Sequence, residues 1–284
     1  MNTGIETRFM KLVSAFDNRS LCIACDHGLM TDPGRSWLQI SEVVQAATQE
    51  HADGLLLSGG QIHRFVSERG RGSLPAFIVR TDWTNLLRVG GKSGEKDKLV
   101  LPVSRFMYRR LINAKEVLFR YAGSAAIGFL FVDPGGSVEA LTLKTSRELI
   151  SECHEIGLPC MIEVLPLMLE RQTADPDDLL RRGIQTALEL GADAIKMPLT
   201  EKLDDLCKLI HQAGKRVFIL GGGNLSDEDL FLNLMQKAVD TGVDGLLVGR
   251  NVSNSPDPVG LIAKLRSMVH PELQFTGQRD PKKI

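Results

Sequence analysis

Eight short apolar runs punctuate this chain, at 21–25, 54–58, 76–80, 125–131, 159–164, 192–196, 216–220 and 244–249. Each reads as a strand buried on both faces. The stretches between them are longer and amphipathic. Over 36–50, apolar residues fall at Leu38, Ile40, Val43, Val44 and Ala47, spaced for one helix face. The helical patterns over 145–156, 178–190 and 201–213 stop at Gly157, Gly191 and Gly214. Ser226-Asp227-Glu228-Asp229 opens another helix with a capping hydroxyl and early acids, and it ends near Thr241-Gly242. Strand–helix alternation repeated along the chain predicts an α/β fold, a (β/α)8 TIM barrel. The runner-up is a doubly wound open sheet. That fold usually carries a glycine-rich turn after its first strand, whereas here Asp26-His27-Gly28 follows.

The chain has 284 residues, 43% of them hydrophobic, which suits one barrel domain over residues 1–284. Two polar segments stand apart, a long loop at about 81–103 and a tail at about 276–284. The loop, with Gly90-Gly91-Lys92-Ser93-Gly94, reads as a solvated excursion or as a lid over an active site. The net charge is −1 with no basic stripe, which argues against nucleic acid as a partner. No apolar run reaches the roughly 18 residues of a membrane span, and the first residues show no signal-peptide core. The expected location is the cytoplasm. Five scattered cysteines do not form a disulfide framework. Cys22 and Cys25 have C-x-x-C spacing, but residues three apart on a strand face opposite ways.

Barrel chemistry lies at the carboxyl ends of the strands. Those ends hold Asp26-His27, Arg80, Asp133, Glu163, Lys196, Gly221-Gly222-Gly223 and Gly249-Arg250. Lys196 is the most telling. It ends the buried run Ala192-Asp193-Ala194-Ile195-Lys196, and burying an ammonium ion is costly. Such surroundings favour the free amine, which attacks carbonyls to form a Schiff base. Strand alternation puts Lys196 with Ala194, Glu163 with Met161, and Asp26 with Ala24 on inward faces, so Asp26, Glu163 and Lys196 converge on one pocket. Each has a structural alternative. Asp26 could cap a turn, Glu163 could form an ion pair with Lys196, Arg80 could be an ion-pair partner at the core edge, and His27 and Asp133 could belong to turns. Two glycine loops, at Gly222-Gly223 after the seventh run and at Gly249-Arg250 after the eighth, stand where barrel enzymes hold phosphate.

From about residue 21 to 251 the chain resembles the class I aldolases of the archaeal-type fructose-bisphosphate aldolase group, and their tagatose-bisphosphate and sulfosugar-phosphate relatives. Ala24-Cys25-Asp26-His27-Gly28 resembles that group's A-x-D-H-G, and Gly191-Ala192-Asp193-Ala194-Ile195-Lys196 its G-A-D-x-x-K. Leu220-Gly221-Gly222-Gly223 and Val248-Gly249-Arg250-Asn251 resemble its paired phosphate loops. The resemblance implies a (β/α)8 barrel and reversible aldol cleavage of a ketose phosphate without metal or other cofactor. Lys196 would carry the Schiff base. Asp26 would assist carbinolamine formation and dehydration, and the glycine loops would hold phosphate. The archaeal-type enzymes have Trp-x-Tyr-Pro at the fifth strand; here Glu163-Val164-Leu165-Pro166 stands instead and lacks the tyrosine. Ile162-Glu163 and Phe131-Val132-Asp133 look more like the tagatose-bisphosphate branch, which assigns proton transfer to Glu163. His27, Arg80 and Asp133 are the further substrate-binding candidates.

The expected function is thus a class I aldolase acting on a sugar phosphate such as one yielding dihydroxyacetone phosphate, in a homo-oligomer. The alternatives are another imine-forming cleavage or transfer, a metal-dependent lyase using Asp26, His27 and Glu163, and a non-catalytic sugar-phosphate sensor.

Overall fold

The computed structural model describes residues 3–30, 37–69, 74–85, 106–134, 136–167, 174–225 and 227–271. Eight parallel strands close into a barrel. In chain order the strands are β1 (Ser20–Ala24), β2 (Gly54–Leu57), β3 (Ala76–Arg80), β4 (Asp82–Thr84), β5 (Tyr108–Arg110), β6 (Ala125–Val132), β7 (Cys160–Pro166), β8 (Ala194–Met197), β9 (Arg216–Leu220) and β10 (Gly245–Val248). Around the barrel they run β1-β10-β9-β8-β7-β6-β3-β2, and β4 and β5 pair separately as an antiparallel ribbon. All eight apolar runs are barrel strands, within a few residues of the expected bounds. No helix among the described residues is long and apolar enough to cross a membrane.

The helices are α1 (Thr3–Phe9), α2 (Trp37–Gln49), α3 (Gly59–Arg69), α4 (Ser137–Glu155), α5 (Pro176–Leu190), α6 (Leu203–Gln212), α7 (Glu228–Asp240), α8 (Arg250–Asn254) and α9 (Pro258–Val269). Their ends follow the local chemistry. The Asp175 carboxylate accepts from the Asp177 amide to open α5, and Gly191 closes it at φ 97°, where a side chain would be strained. The cap of α7 is Asp227, accepting from the Leu230 amide at 3.0 Å; the expected cap, Ser226, lies outside the described residues. Helix α4 begins eight residues earlier than its apolar stripe suggested, because Val138 and Thr142 also face the core ahead of Thr145 and Ser146. Thr142 and Thr145 return their hydroxyls to backbone carbonyls one turn back, and Ser146 reaches the Phe129 carbonyl on β6. The third crossover departs from the regular repeat. Residues expected to begin a loop at 81 form β4 instead, and β5 leads to a short π-helix, Glu116–Arg120. Residues 86–103 of that expected loop and the tail at 276–284 lie outside the described residues.

Strand alternation sorts the core into two layers. Outward residues such as Leu55, Phe77, Ile162 and Ile195 pack against the helices. Inward residues Cys22, Ala24, Ile78, Ile127, Met161 and Ala194 fill the barrel, and Phe9, Leu12 and Val13 enter its amino-terminal end as a plug. Phe9 meets Phe218 with ring centroids 6.2 Å apart, a burial that contributes about 2–3 kcal/mol. Cys22 belongs to the inner layer and Cys25 to the outer, and all five cysteines are buried thiols outside any disulfide.

The same end of the barrel is tied by His270, which follows α9. Its ring reaches Asp17 at 2.8 Å and Asp53 at 2.9 Å, and its side chain is fully covered. Burial opposes the charged ring, but the two carboxylates outweigh it and raise the His270 pKa above 6.5. Burial likewise raises Asp17, and the His270 bond reverses the effect and holds Asp17 below 3.8. A raised histidine stabilises fully below its unfolded value and stops doing so as pH climbs through its folded value. A lowered aspartate stabilises above its unfolded value. The pair therefore contributes most between about pH 4 and 6.5. The stability gap between wild type and His270→Gln, measured by urea unfolding, is expected to be widest in that window and to shrink above it. A gap independent of pH would contradict the assignment.

Candidate active site

At the carboxyl mouth of the barrel lies a cavity of about 230 Å³. The register that aligns Phe129 with Glu163, and Glu163 with Lys196, sets three inward side chains from β6, β7 and β8 side by side. Ala24 and Ala194 occupy the layer below and leave room for the long polar chains above them. Lys196 Nζ stands 2.9 Å from Glu163 Oε1, and both residues are about 5% exposed.

Arg80, at the end of β3, is the hub. Its Nε donates to Asp26 Oδ2 at 2.7 Å, and its two terminal nitrogens reach Glu163 Oε2 at 2.5 Å and Asp82 Oδ1 at 3.5 Å. Its guanidinium carbon lies 4.1 Å from the centroid of the Phe129 ring, a stacked cation–π contact. Behind it, Asp82 Oδ2 accepts from the Tyr108 hydroxyl at 2.8 Å and from the Phe129 amide at 2.6 Å. The ribbon β4–β5 thus reaches the site through Asp82 and Tyr108.

This arrangement sets the ionisation. Burial favours a protonated Glu163, yet Lys196 and Arg80 outweigh it and hold the carboxyl below its ordinary value. Burial also opposes the Asp26 charge, and Arg80, His27 and Lys196 reverse that effect. Asp82 behaves differently: its burial wins over Arg80 and raises its pKa. Burial of Tyr108, with Asp82 beside it, raises the phenol further. Desolvation is also the main reason His27 falls to about 4, so the ring is neutral at pH 7.

The second half of the mouth is built from loops. Gly221, Gly222, Gly249 and Arg250 line the cavity. Asn251 pins the glycine loop, donating to the Gly221 and Gly223 carbonyls at 2.8 and 3.0 Å and accepting from the Leu225 amide at 2.8 Å. Gly249 has no spare space. A Cβ there would stand 2.1 Å from His27 Cε1 and 2.6 Å from the Ala24 carbonyl. Gly249→Ala is expected to force β1 and β10 apart locally and cost about 1–3 kcal/mol of stability, read by urea unfolding. An unchanged midpoint would contradict the close approach.

Of the residues expected from the sequence, Asp26, His27, Arg80, Glu163, Lys196, Gly222, Gly249 and Arg250 line one cavity. Gly223 is adjacent and gives its carbonyl to Asn251. Asp133 is not among the lining residues. It is buried in the turn from β6 into α4, where its amide donates to Glu139 and its carbonyl accepts from Gly136. Asp82, Tyr108 and Asn251 were not singled out from sequence. Asp82 had a local signal, standing two positions after Arg80 as same-face residues do. Tyr108, 26 residues beyond Asp82, had none.

A closed (β/α)8 barrel with a buried lysine–carboxylate pair at its carboxyl mouth has its ionisable groups where barrel enzymes hold their active sites. A family model described as DeoC/LacD family aldolase matches residues 20–255, and the chain belongs to that family; it is an aldolase. It is 28% identical over 274 residues to an uncharacterized aldolase of Saccharolobus solfataricus, covering 94% of each chain. It is 22% identical over 259 residues to the 2-amino-3,7-dideoxy-D-threo-hept-6-ulosonate synthase 1 of Archaeoglobus fulgidus, covering 89% of this chain and 87% of that one. An archaeal fructose 1,6-bisphosphate aldolase structure matches the fold with a TM-score of 0.73 at 20% identity, covering 94% of this chain and 99% of that one.

Proposed function

We propose that this aldolase makes or breaks a C–C bond in a phosphorylated ketose through an imine on Lys196, with dihydroxyacetone phosphate as the ketone fragment. The observation that carries the reading is the 2.9 Å contact between Lys196 Nζ and Glu163 Oε1, in the same cavity as the two glycine loops.

The chemistry follows from that contact. Glu163 takes a proton from the Lys196 ammonium, and the amine attacks the substrate ketone. The carbinolamine hydroxyl then leaves as water, receiving its proton from Glu163, with Asp26 assisting from its bond to Arg80. The protonated imine draws electrons from the C3–C4 bond once a base removes the C4 hydroxyl proton. Glu163, again a carboxylate at that stage, is the base. The aldehyde departs, and protonation and hydrolysis of the enamine release the ketone. Arg80 keeps one oxygen of Glu163 in place and leaves the other for the proton traffic. The strand position where the resembling enzymes have tyrosine is Leu165 here, so proton transfer falls to Glu163.

Phosphate sits between the loops after β9 and β10, held by backbone N–H groups and Arg250. His27 stays neutral beside them and competes little with the guanidinium for the anion. Arg250→Ala is expected to weaken phosphorylated ketoses by about 1.5–3 kcal/mol, the scale of a charge-assisted hydrogen bond, read as kcat/KM of cleavage. An equal loss for unphosphorylated analogues would contradict the phosphate role.

A further inference from the structure

We propose that the aldehyde half of the substrate is an apolar, unphosphorylated aldehyde, bound against a hydrophobic wall on the β6–β7 side of Lys196. The inference rests on the imine reading above and adds the class of the second substrate.

The order of strands around the barrel gives the direction. Lys196 is on β8, between β9 and β7. On one side, β9 and β10 lead to Gly222, Gly249 and Arg250, the phosphate end. On the other side, β7 and β6 present Glu163 at the level of Lys196, with Leu165 and Phe129 lining the cavity beside it. A ketose held by its phosphate near β9–β10, with its carbonyl carbon at Lys196, directs C4 and the atoms beyond it toward β7 and β6. Glu163 stands on that side, where the C4 hydroxyl proton has to be taken.

Beyond Glu163 the lining among the described residues is apolar. Leu165 and Pro166 line it from β7, Leu167 from just after it, Phe129 from β6 and Met30 from the segment after β1. This wall is backed by its own core cluster, in which Phe129 stacks on Phe131 at 5.1 Å and Phe106 meets Phe131 edge-on at 5.5 Å. Among the described residues, the cation beside this wall other than Lys196 is Arg80, which already binds Asp26, Asp82 and Glu163 and lies over the Phe129 ring. Its charge is committed within the protein. A phosphate or a run of hydroxyls placed here would give up water for carbon, whereas an alkyl or aryl group would gain contact. In the bond-forming direction, the enamine carbon on Lys196 attacks the aldehyde carbon and the C=O electron pair moves to oxygen. That oxygen takes a proton from Glu163, and water then hydrolyses the imine to free the product and the amine.

The test loads the full-length enzyme with dihydroxyacetone phosphate and compares butanal, benzaldehyde, glyceraldehyde and glyceraldehyde 3-phosphate as partners. Product formation is followed by mass spectrometry and expressed as kcat/KM. A parallel sample is reduced with borohydride to establish the adduct on Lys196. The expected result is a preference of at least tenfold for butanal or benzaldehyde over glyceraldehyde 3-phosphate. In Leu165→Lys that preference is expected to fall at least tenfold. An adduct on Lys196 combined with equal or better use of glyceraldehyde 3-phosphate, or with no product from either apolar aldehyde, overturns this inference alone. No adduct at all overturns the imine reading and this inference with it.

Discussion

An Arg80→Leu variant is expected to lose about 3–5 kcal/mol of stability, the cost of removing one partner from a buried ionic cluster. Three carboxylates depend on this one guanidinium: Asp26, Asp82 and Glu163, none more than 6% exposed. Lys196 still answers Glu163 in the variant, but Asp26 and Asp82 lose a bonded cation. The effect has a pH signature. Asp26 and Glu163 are held below their ordinary values of 3.8 and 4.5, so their stabilisation is present above those values and disappears as pH falls through the folded ones. The gap between wild type and variant should therefore be widest near neutrality and narrow in acid. Denaturant unfolding at pH 7 and at pH 3, below both ordinary values, measures both. A loss under about 1 kcal/mol at pH 7, the worth of an exposed pair, would show that the cluster is not what holds the barrel mouth together.

Lys196→Arg addresses the chemistry. The guanidinium can still pair with Glu163, so the variant is expected to fold. It stays protonated and cannot form an imine. Loss of a covalent nucleophile costs about 10⁴- to 10⁶-fold in turnover, and cleavage of a ketose phosphate by this variant should drop on that scale. Turnover within about tenfold of wild type would contradict the mechanism. Such a result would leave Lys196 as a structural cation for Glu163, the alternative its burial also permits.

Much of this site was legible along the chain because barrel strands obey a period of two. Lys196 and Glu163 could be placed on inward faces from Ala194 and Met161 alone, and the register pairs them directly. The glycine loops were legible because their position after the last two strands follows from strand order. What was hidden depends on contacts distant in sequence. Arg80 looked equally like a core-edge ion-pair partner and a substrate ligand. Its tie to Glu163 spans 83 positions, and nothing local announces it. Tyr108 belongs to a strand found only because the structure pairs it with β4. The plug of Phe9, Leu12 and Val13 lay in a stretch too mixed in polarity to read. Asp133 follows β6 as expected, and what strand order could not show is that its amide and carbonyl close the turn into α4.

The chemistry stands or falls with a covalent adduct on Lys196, which borohydride traps. The wild-type protein is incubated with dihydroxyacetone phosphate, reduced with borohydride and digested, and the peptides are mapped by mass spectrometry. One added ketone fragment, reduced to a secondary amine, is expected on Lys196, and none on that position in Lys196→Arg. A protein that binds the ketone phosphate yet carries no adduct, or carries it on a different lysine, would contradict the account.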